Sequence, residues 1–432
     1  MHTSIPIPLE ILISIVNEVA LLSDKARETL SACSLVCHSL LIPSRKHLFH
    51  KVDFEALDDG RDGLGGPQKF RRLFDVVKNN PSIARLICEL SIIDYFPGLC
   101  RSWILKEKKI PALIDRLPML QALSFSKISD MEALDWEDEL TEPLKSSLTN
   151  LICANRLSSL RLDRVWGIPI SLLTQYPRLK HLSIHGCELD EAEPESPASE
   201  SSLNLSPHFT QLQSFHFGGE LGSDRLVHQL KQHTSVSGKD CFSELERLRV
   251  TTCTERGIDA AMELVRSCSH SLLHLIIEAD GPGAAARPPR LPGPINLSIP
   301  RALKSVSLPG DIGGDLELLV YSVTGILDVL KTAPPSNSIE DISFNFVSPG
   351  RGRGGVVSIE NAGGWTILDA ALTRQNFPML RQVNVKMFLD GFHEQRDTGM
   401  EAKYERMARD RLPGISGRSW ISLNVEVDVY YY

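Results

Sequence analysis

Basic side chains recur at matching positions in the middle of the chain, each beside the apolar residues of a repeated triplet. The set comprises Arg161, His181, His185, His216, Arg247, Arg249 and His274. An arginine guanidinium binds a carboxylate or a phosphate through two parallel hydrogen bonds, so this set could receive an acidic or phosphorylated protein partner. Histidine, however, is neutral over much of the physiological pH range. The alternative is a solvated face on which charges are scattered by chance, and the sequence alone leaves both interpretations open.

Motifs that would assemble an active site are absent from the sequence. No H-E-x-x-H, G-x-S-x-G or G-x-x-x-x-G-K-[ST] pattern occurs. The glycine-rich residues 350–355 precede the β-favouring residues 356–359, whereas a phosphate-binding glycine loop opens into a helix. A plain loop is therefore favoured there over a nucleotide site or an RNA contact. Cys33 and Cys37 lie four residues apart with no further ligand at suitable spacing, so we expect them to pack in the fold. We predict a protein that is not an enzyme and uses no cofactor or metal.

One apolar pattern explains where the basic residues stand. It reads apolar, two variable, apolar, one variable, apolar, and it returns at intervals of roughly 20 to 40 residues, as stacked repeat units do. The triplets are Ile87/Leu90/Ile92, Leu120/Leu123/Phe125, Leu157/Leu160/Leu162, Leu179/Leu182/Ile184, Leu212/Phe215/Phe217, Leu245/Leu248/Val250, Leu272/Leu275/Ile277, Leu303/Val306/Leu308, Ile339/Ile342/Phe344, Leu380/Val383/Val385 and Trp420/Leu423/Val425. Amphipathic helical runs lie between many of them, which predicts parallel strands with return helices covering one face. The basic residues then lie on the opposite face.

The repeat resembles the leucine-rich-repeat family in a long, irregular form. Two units match the L-x-x-L-x-L-x-x-C/N pattern of that family, namely Leu179-x-x-Leu182-x-Ile184-x-x-Cys187 and Leu245-x-x-Leu248-x-Val250-x-x-Cys253. Their cysteines occupy repeat positions, so we expect both to be buried. The resemblance implies an α/β solenoid with a parallel sheet on its concave face and helices outside.

The first 50 residues predict three short helices with an unusually wide apolar surface. At about 100° per residue, the apolar residues of the first helix cover an arc of about 200°, whereas a helix lying on one core needs about 100°. These residues are Leu9, Ile11, Leu12, Ile13, Ile15, Val16, Val19, Ala20 and Leu22. The helix is therefore expected to bury two sides, one of them against something other than its own domain. A second helical segment runs from Leu30 to Leu40, and Pro43 and Ser44 are expected to break it before Arg45–Phe49 resumes it.

This segment resembles the F-box, the docking module of Skp–cullin–F-box ubiquitin ligases. Ile7-Pro8-Leu9-Glu10-Ile11-Leu12-x-x-Ile15 is similar to the opening motif of the family, and Cys33-Ser34-Leu35-Val36-Cys37-His38-Ser39 is similar to its second motif. Ile7 stands where leucine is usual, and Leu40 where the family often has tryptophan. The resemblance implies a substrate receptor that binds a Skp-family adaptor and, through it, a cullin. The adaptor-binding residues it implies are Ile7, Pro8, Ile11, Leu12, Ile15, Leu35 and Val36.

The alternative is a protein-interaction scaffold in which these helices only cap the repeat array. Deleting them would distinguish the two, because an uncapped array should unfold or aggregate.

Composition sets the remaining bounds. With 42% hydrophobic and 23% charged residues and a net charge of -8, the chain has ordinary soluble values, and the negative charge argues against wholesale binding to nucleic acid. Nine cysteines without a regular framework are typical of a reduced compartment, cytoplasm or nucleus. No signal peptide or membrane span is expected. We predict a helical module at 1–52, a helical connector at 53–80 and a repeat array at 81–432, with loop insertions near 188–206, 281–300 and 348–363.

Overall fold

The structure is a computed structural model of the chain. It describes residues 7–22, 25–55, 65–95, 102–128, 133–154, 156–174, 178–190, 212–219, 223–235, 241–251, 254–278, 295–311, 316–348, 364–372, 375–391 and 400–431. Most of each predicted loop insertion, at 191–206, 281–294 and 349–363, lies outside the described residues, as does Cys253.

Fifteen helices lie in the described residues. They are α1 Leu9–Leu21, α2 Ala26–Val36, α3 His38–His50, α4 Gly66–Asn79, α5 Pro81–Ala84, α6 Trp103–Lys106, α7 Ile110–Ile114, α8 Glu142–Cys153, α9 Ile170–Thr174, α10 Ser223–Ser235, α11 Glu255–Ser267, α12 Leu316–Lys331, α13 Gly364–Ala371, α14 Met400–Arg411 and α15 Pro413–Ser416.

Sixteen strands accompany them in the same part of the chain. They are β1 Lys51–Glu55, β2 Glu89–Tyr95, β3 Ala122–Ile128, β4 Leu134–Asp135, β5 Ser159–Asp163, β6 Val165–Trp166, β7 Ile168–Pro169, β8 His181–His185, β9 Leu189–Asp190, β10 Ser214–Gly218, β11 Arg247–Thr251, β12 His274–Glu278, β13 Ser305–Asp311, β14 Asp341–Ser348, β15 Gln382–Gly391 and β16 Ser422–Tyr431.

Within each unit the longer strands pair in parallel, each with the next long strand along the chain. The chain divides into two compact units, Met1–Ile168 and Pro169–Tyr432. In the first unit β1, β2, β3 and β5 lie side by side. In the second unit the order is β8, β10, β11, β12, β13, β14, β15 and β16. This succession of parallel strands and return helices confirms the predicted α/β fold class, a helical N-terminal part followed by a leucine-rich-repeat-like solenoid.

The apolar triplets form the core of both units. All thirty residues of the first ten triplets are at most 4% exposed. Ring contacts reinforce this packing, for example Phe215 with Phe217 at a centroid distance of 5.3 Å. The eleventh triplet differs, because Trp420 is half-buried and Ile421 beside it is buried instead. The triplet pattern is therefore a burial pattern in all but the last strand.

Strand β1 precedes the first predicted triplet and was not anticipated. It follows the same spacing, Phe49-x-x-Val52-x-Phe54, and it pairs with β2 from Lys51↔Glu89 to Glu55↔Ile93. Phe54 is 2% exposed, with its ring 5.3 Å from that of Phe70. Residues 53–55 were predicted to belong to a helical connector, and this prediction is wrong. They form a strand because their backbone pairs with the edge of β2 as one further repeat. The rest of the described connector is the helix α4 with one flanking residue at each end.

Helices cover one face of these strands. In α4 the side chains of Phe70, Phe74 and Val77 are buried at i, i+4 and i+7 spacing, the spacing that places residues on one helix face. Packing of α4 on β1, α11 on β11, α12 on β13 and α14 on β16 repeats this arrangement. Burial alternates along the strands between the two faces, as in β8 and β12. One face of the described sheet is thus core, and the other is open and polar.

The N-terminal helices α1, α2 and α3 pack on one another. The predicted break at Pro43 and Ser44 is wrong, because α3 runs through both residues, and the break lies at Cys37, which is extended at φ -158° and ψ 163°. A helix restarting at His38 places Pro43 early in its course, where the proline ring removes one backbone hydrogen bond. The Asn17 Oδ1 and His47 Nε2 atoms, 2.8 Å apart, connect α1 to α3.

Candidate functional site

Helix α1 buries only one of its two apolar sides. Val16 is 0% exposed, whereas Ile11 is 52% and Ile15 is 48% exposed. At about 100° per residue, Ile11 and Ile15 lie about 40° apart, and Val16 lies ~100° or more from either. The second side of the predicted two-sided helix is therefore solvent-exposed in the chain alone. We call the exposed residues Ile11 and Ile15, together with Ile7 just before the helix begins, the α1 stripe.

The residues predicted to bind an adaptor are accessible. Leu12 is half-buried, and the other six are exposed: Ile7, Pro8, Ile11, Ile15, Leu35 and Val36. Leu35 at 84% and Val36 at 71% are the most open of these aliphatic side chains. Exposed aliphatic residues of the helical module outside the predicted adaptor-binding set are Leu9, Ile13, Leu21, Leu22 and Ile42. A helix that capped the array would bury its apolar stripe against the first repeat, whereas the side chains of the α1 stripe are each about half exposed.

The open face of the second unit brings together six of the seven basic residues. Strand register aligns them in three rows that cross β8, β10, β11 and β12. The rows are His181, Ser214, Arg247 and His274; Ser183, His216, Arg249 and Ile276; and His185, Gly218, Thr251 and Glu278. The seventh, Arg161, lies on β5 of the first unit, with its Nη2 atom 3.6 Å from Asp163 Oδ2.

A hydrogen-bonded network links four strands across these rows. The Nδ1 atom of His216 lies 3.0 Å from Ser183 Oγ, and its Nε2 atom lies 3.1 Å from Thr251 Oγ1. Arg249 donates from Nε to Glu278 Oε2 at 2.7 Å, and its Nη2 atom lies 2.7 Å from the same oxygen. Sequence reasoning missed Thr251 and Glu278, although continuing the alternation two residues beyond Arg249 on β11 and four beyond His274 on β12 would have placed both on this face.

An ion pair and two lowered pKa values neutralise much of the predicted cationic surface. Arg249 is paired with Glu278. Burial lowers the pKa of the His181 imidazole, and the charges of Lys180 and Arg247 lower it further. Burial also lowers the pKa of His274, with Arg247 as the next cause. Both imidazoles are therefore neutral at neutral pH. Arg247 is exposed, and no described residue pairs with its guanidinium.

Toward the later strands the open face becomes a row of amides and hydroxyls. Asn345 Nδ2 donates to Ser307 Oγ at 3.1 Å, and Asn384 Nδ2 donates to Ser343 Oγ at 3.1 Å. Asn424 Nδ2 donates to Asn384 Oδ1 at 3.1 Å. These bonds hold the side chains in place, which reduces the conformational entropy lost when they contact a ligand.

In these rows the Ser183 hydroxyl contacts the His216 imidazole. A serine hydroxyl bonded to histidine is one requirement for nucleophilic catalysis, which also needs a third group that orients the base. The second nitrogen of His216 faces the Thr251 hydroxyl instead of a carboxylate. Among the described residues no cluster of three His, Cys, Asp or Glu side chains could bind a metal ion. Cys187 is buried at 5% exposure, as its repeat position predicts.

The first unit contains a buried acid that the triplet pattern did not reveal. Asp94 is 1% exposed and its register partner on β3, Lys127, is 6% exposed. Both continue the core side of their strands, two residues beyond Ile92 and Phe125. Burial raises the pKa of the Asp94 carboxyl, and the Ser102 hydroxyl and the charge of Lys127 partly offset this rise. Their position on the core side indicates a structural role.

Comparison with known proteins adds little to this description. No protein-family model and no curated protein matches the chain. Among solved structures, an internalin from Listeria monocytogenes is 10% identical with a TM-score of 0.31, over 84% of this chain and 89% of the internalin. This likeness is too weak to support an argument, so the fold assignment rests on the register and burial described above. No helix in the described part of the chain has the length and apolarity needed to cross a membrane.

Proposed function

We propose that this protein is the substrate receptor of a Skp–cullin–F-box type ubiquitin ligase. The observation that carries the proposal is the α1 stripe, an exposed aliphatic surface inside a segment with two F-box-like motifs. Isolated exposed aliphatic residues are ordinary, but a contiguous exposed apolar surface typically marks an interaction site. The stripe, with Pro8, Leu12, Leu35 and Val36, would bind a Skp-family adaptor and, through it, a cullin.

In this mechanism the protein makes and breaks no covalent bond. The helical module would attach to the ligase while the repeat array holds a target protein. The target's effective concentration near a ubiquitin-loaded enzyme would then rise, as it does whenever two binding modules are linked.

Adaptor binding is tested by two single substitutions on α1. Ile15→Asp places a charge in the exposed stripe, whereas Asn17→Asp places the same charge on the same helix, about 160° away. Asn17 Oδ1 faces His47 Nε2 at 2.8 Å, and an aspartate oxygen can replace it there as acceptor. We expect Ile15→Asp to abolish co-purification with a Skp-family adaptor and Asn17→Asp to retain it. Equal binding by both folded variants would contradict the proposed surface.

The alternative is a non-catalytic interaction scaffold in which the helices cap the array. Deleting residues 1–50 separates the two functions, since β1 begins only at Lys51. A receptor array should remain folded with an unchanged thermal midpoint, because its helices serve an external partner. Unfolding or aggregation of the truncated chain, together with no binding of adaptor by the intact one, would favour the scaffold.

The open face is the proposed target-binding surface. On the second unit its candidate residues are His181, His185, His216, Arg247, Arg249 and His274; Arg161, the seventh predicted residue, lies on β5 of the first unit. With Arg249 paired to Glu278 and two imidazoles neutral, Arg247 is the side chain best suited to an acidic or phosphorylated group. In cells lacking the protein, re-expression of Arg247→Gln should leave targets undegraded. Arg406→Gln, an exposed arginine on α14, is the matched control and should restore their degradation. Restoration by both variants would exclude Arg247 from target binding.

A further inference from the structure

Strand β16 has one paired edge and one open edge. It pairs in parallel with β15 over ten residues, and no other described strand pairs with it. Ser422 N donates to Arg381 O at 2.7 Å, so the peptide groups of Ser422 and of alternate residues after it point toward β15. The peptide groups of Leu423, Val425 and Val427 therefore point outward, since successive residues of a strand direct their N–H and C=O groups to opposite sides.

One outward group already has a partner, and it confirms this orientation. Leu423 O accepts a hydrogen bond from Arg409 Nη1 of α14 at 3.2 Å. The next outward residues, Val425 and Val427, have no backbone partner among the described residues. A row of unpaired N–H and C=O groups is a template for another strand. The open part of the edge thus begins after Leu423.

The side chains along this edge define what could pair with it. On the core side, Val425 and Val427 are half-buried, whereas Val385 and Met387, the corresponding residues of β15, are 0% exposed. An incoming strand would therefore cover aliphatic surface there.

On the open side of β16, Glu426 and Asp428 place carboxylates at two alternate positions along the edge. Glu426 is exposed and pairs on its inner side with Lys386 at 2.5 Å, and Asp428 is half-buried. The register partner of Asp428 is Phe388, and no described cation forms an ion pair with its carboxylate. The edge is thus acidic on one side and aliphatic on the other.

We propose that the outer edge of β16 binds an extended segment of a partner protein as an added strand. The segment would carry lysine or arginine at two alternating positions and aliphatic residues between them. Its backbone would bond to Val425 and Val427, and its cations would lie beside Glu426 and Asp428, the mode in which peptides join exposed sheet edges. Antiparallel pairing of two copies centred on Val427 would bring Glu426 opposite Asp428, and like charges directly opposed are destabilising. This surface is independent of adaptor docking.

The test uses the full chain and a fluorescein-labelled peptide, Thr-Val-Lys-Val-Lys-Val-Thr, followed by anisotropy. The control peptides carry glutamate in place of both lysines, or N-methyl groups on alternate backbone nitrogens. We expect the lysine peptide to bind and both controls to bind at least roughly tenfold more weakly, since both the charge and the backbone contacts are lost.

Two protein variants test the same edge. Val427→Pro removes an outward N–H, a change that edge strands tolerate, and Glu426→Lys with Asp428→Lys reverses the charge. Glu401→Lys with Asp410→Lys makes the same charge change on exposed positions of α14 and is the matched control. We expect about tenfold weaker binding for the two edge variants and unchanged binding for the control.

Equal binding of the lysine and glutamate peptides would overturn the proposal. So would equal binding by all variants with intact thermal transitions, or a dimer in light scattering that Val427→Pro dissociates, which would assign the edge to a second copy.

Discussion

Ile15 and Val16 are adjacent in sequence, yet replacing each with alanine should have different effects. The change at Ile15 should weaken adaptor binding, whereas the change at Val16 should lower the stability of the fold. Ile15 is 48% exposed on the α1 stripe, and Val16 is 0% exposed inside the helical bundle. Alanine at Ile15 removes three carbon atoms, worth ~2.4 kcal/mol when fully transferred from water at about 0.8 kcal/mol each. About half of that area is open for an adaptor, so the expected loss of binding free energy is ~1.2 kcal/mol, an affinity about eightfold weaker.

Alanine at Val16 removes two carbon atoms that are already buried. The expected cost is ~1.6 kcal/mol of unfolding free energy plus a cavity term, with no change in the adaptor affinity of the folded chain. Ile15→Ala should lose at most ~1.2 kcal/mol of stability, from the half of its area buried in the chain alone.

Both quantities are measurable on the same samples. Urea unfolding followed by circular dichroism gives stability, and titration with a purified Skp-family adaptor gives affinity. Unchanged affinity for Ile15→Ala, or an equal loss of affinity in the two variants, would refute the assignment of the α1 stripe as the docking surface.

Further predictions concern the array. Gly218→Ala should destabilise the chain by ~1–3 kcal/mol in urea unfolding, because a Cβ atom there would lie 2.4 Å from Thr251 O. Thr251→Val should cost ~1–2 kcal/mol, since it removes the hydroxyl that faces His216 Nε2; an unchanged midpoint would contradict the network. The thermal midpoint should fall as pH decreases from about 6.5, because burial lowers the pKa of three imidazoles and the unfolded chain then binds more protons. These are His47, His181 and His274. Replacing the three with glutamine should flatten this pH dependence.

The repeat could be predicted from the sequence because burial follows directly from side-chain type at a fixed spacing. Leu245, Leu248 and Val250 are apolar at the triplet spacing, and all three are 0% exposed. Strand β1 was missed although Phe49, Val52 and Phe54 carry the same spacing. Charged Lys51 and Asp53 interrupt that stretch, and its strand conformation depends on pairing with β2, across 38 residues of chain.

The sequence predicts which residues lie on the open polar face. It does not predict which of their charges are paired or neutralised. Alternation along β11 places Arg247 and Arg249 on the open side, as expected. Which of them is available depends on the neighbouring strand, where Glu278 lies 29 residues further along and pairs with Arg249. Likewise, the pKa values of His181 and His274 are lowered by partial desolvation on the assembled face and by the charge of Arg247 on β11. These are consequences of register, which only the assembled sheet determines.

The bend in the N-terminal module was misplaced for a related reason. Proline usually ends a helix because it removes a backbone donor. Here packing between α2 and α3 keeps Pro43 inside α3, and the chain turns at Cys37 instead. Local propensity was overridden by tertiary contacts.

The proposed docking of the helical module to an adaptor would leave the open face of the array free. Amide hydrogen exchange of the full chain, with and without a purified Skp-family adaptor, tests both halves at once. We predict slower exchange in α1, Leu9–Leu21, and at the end of α2 around Leu35 and Val36, with exchange in β8, β10, β11 and β12 unchanged. Unchanged exchange in α1 under saturating adaptor, or protection confined to those four strands, would contradict docking through the helical module.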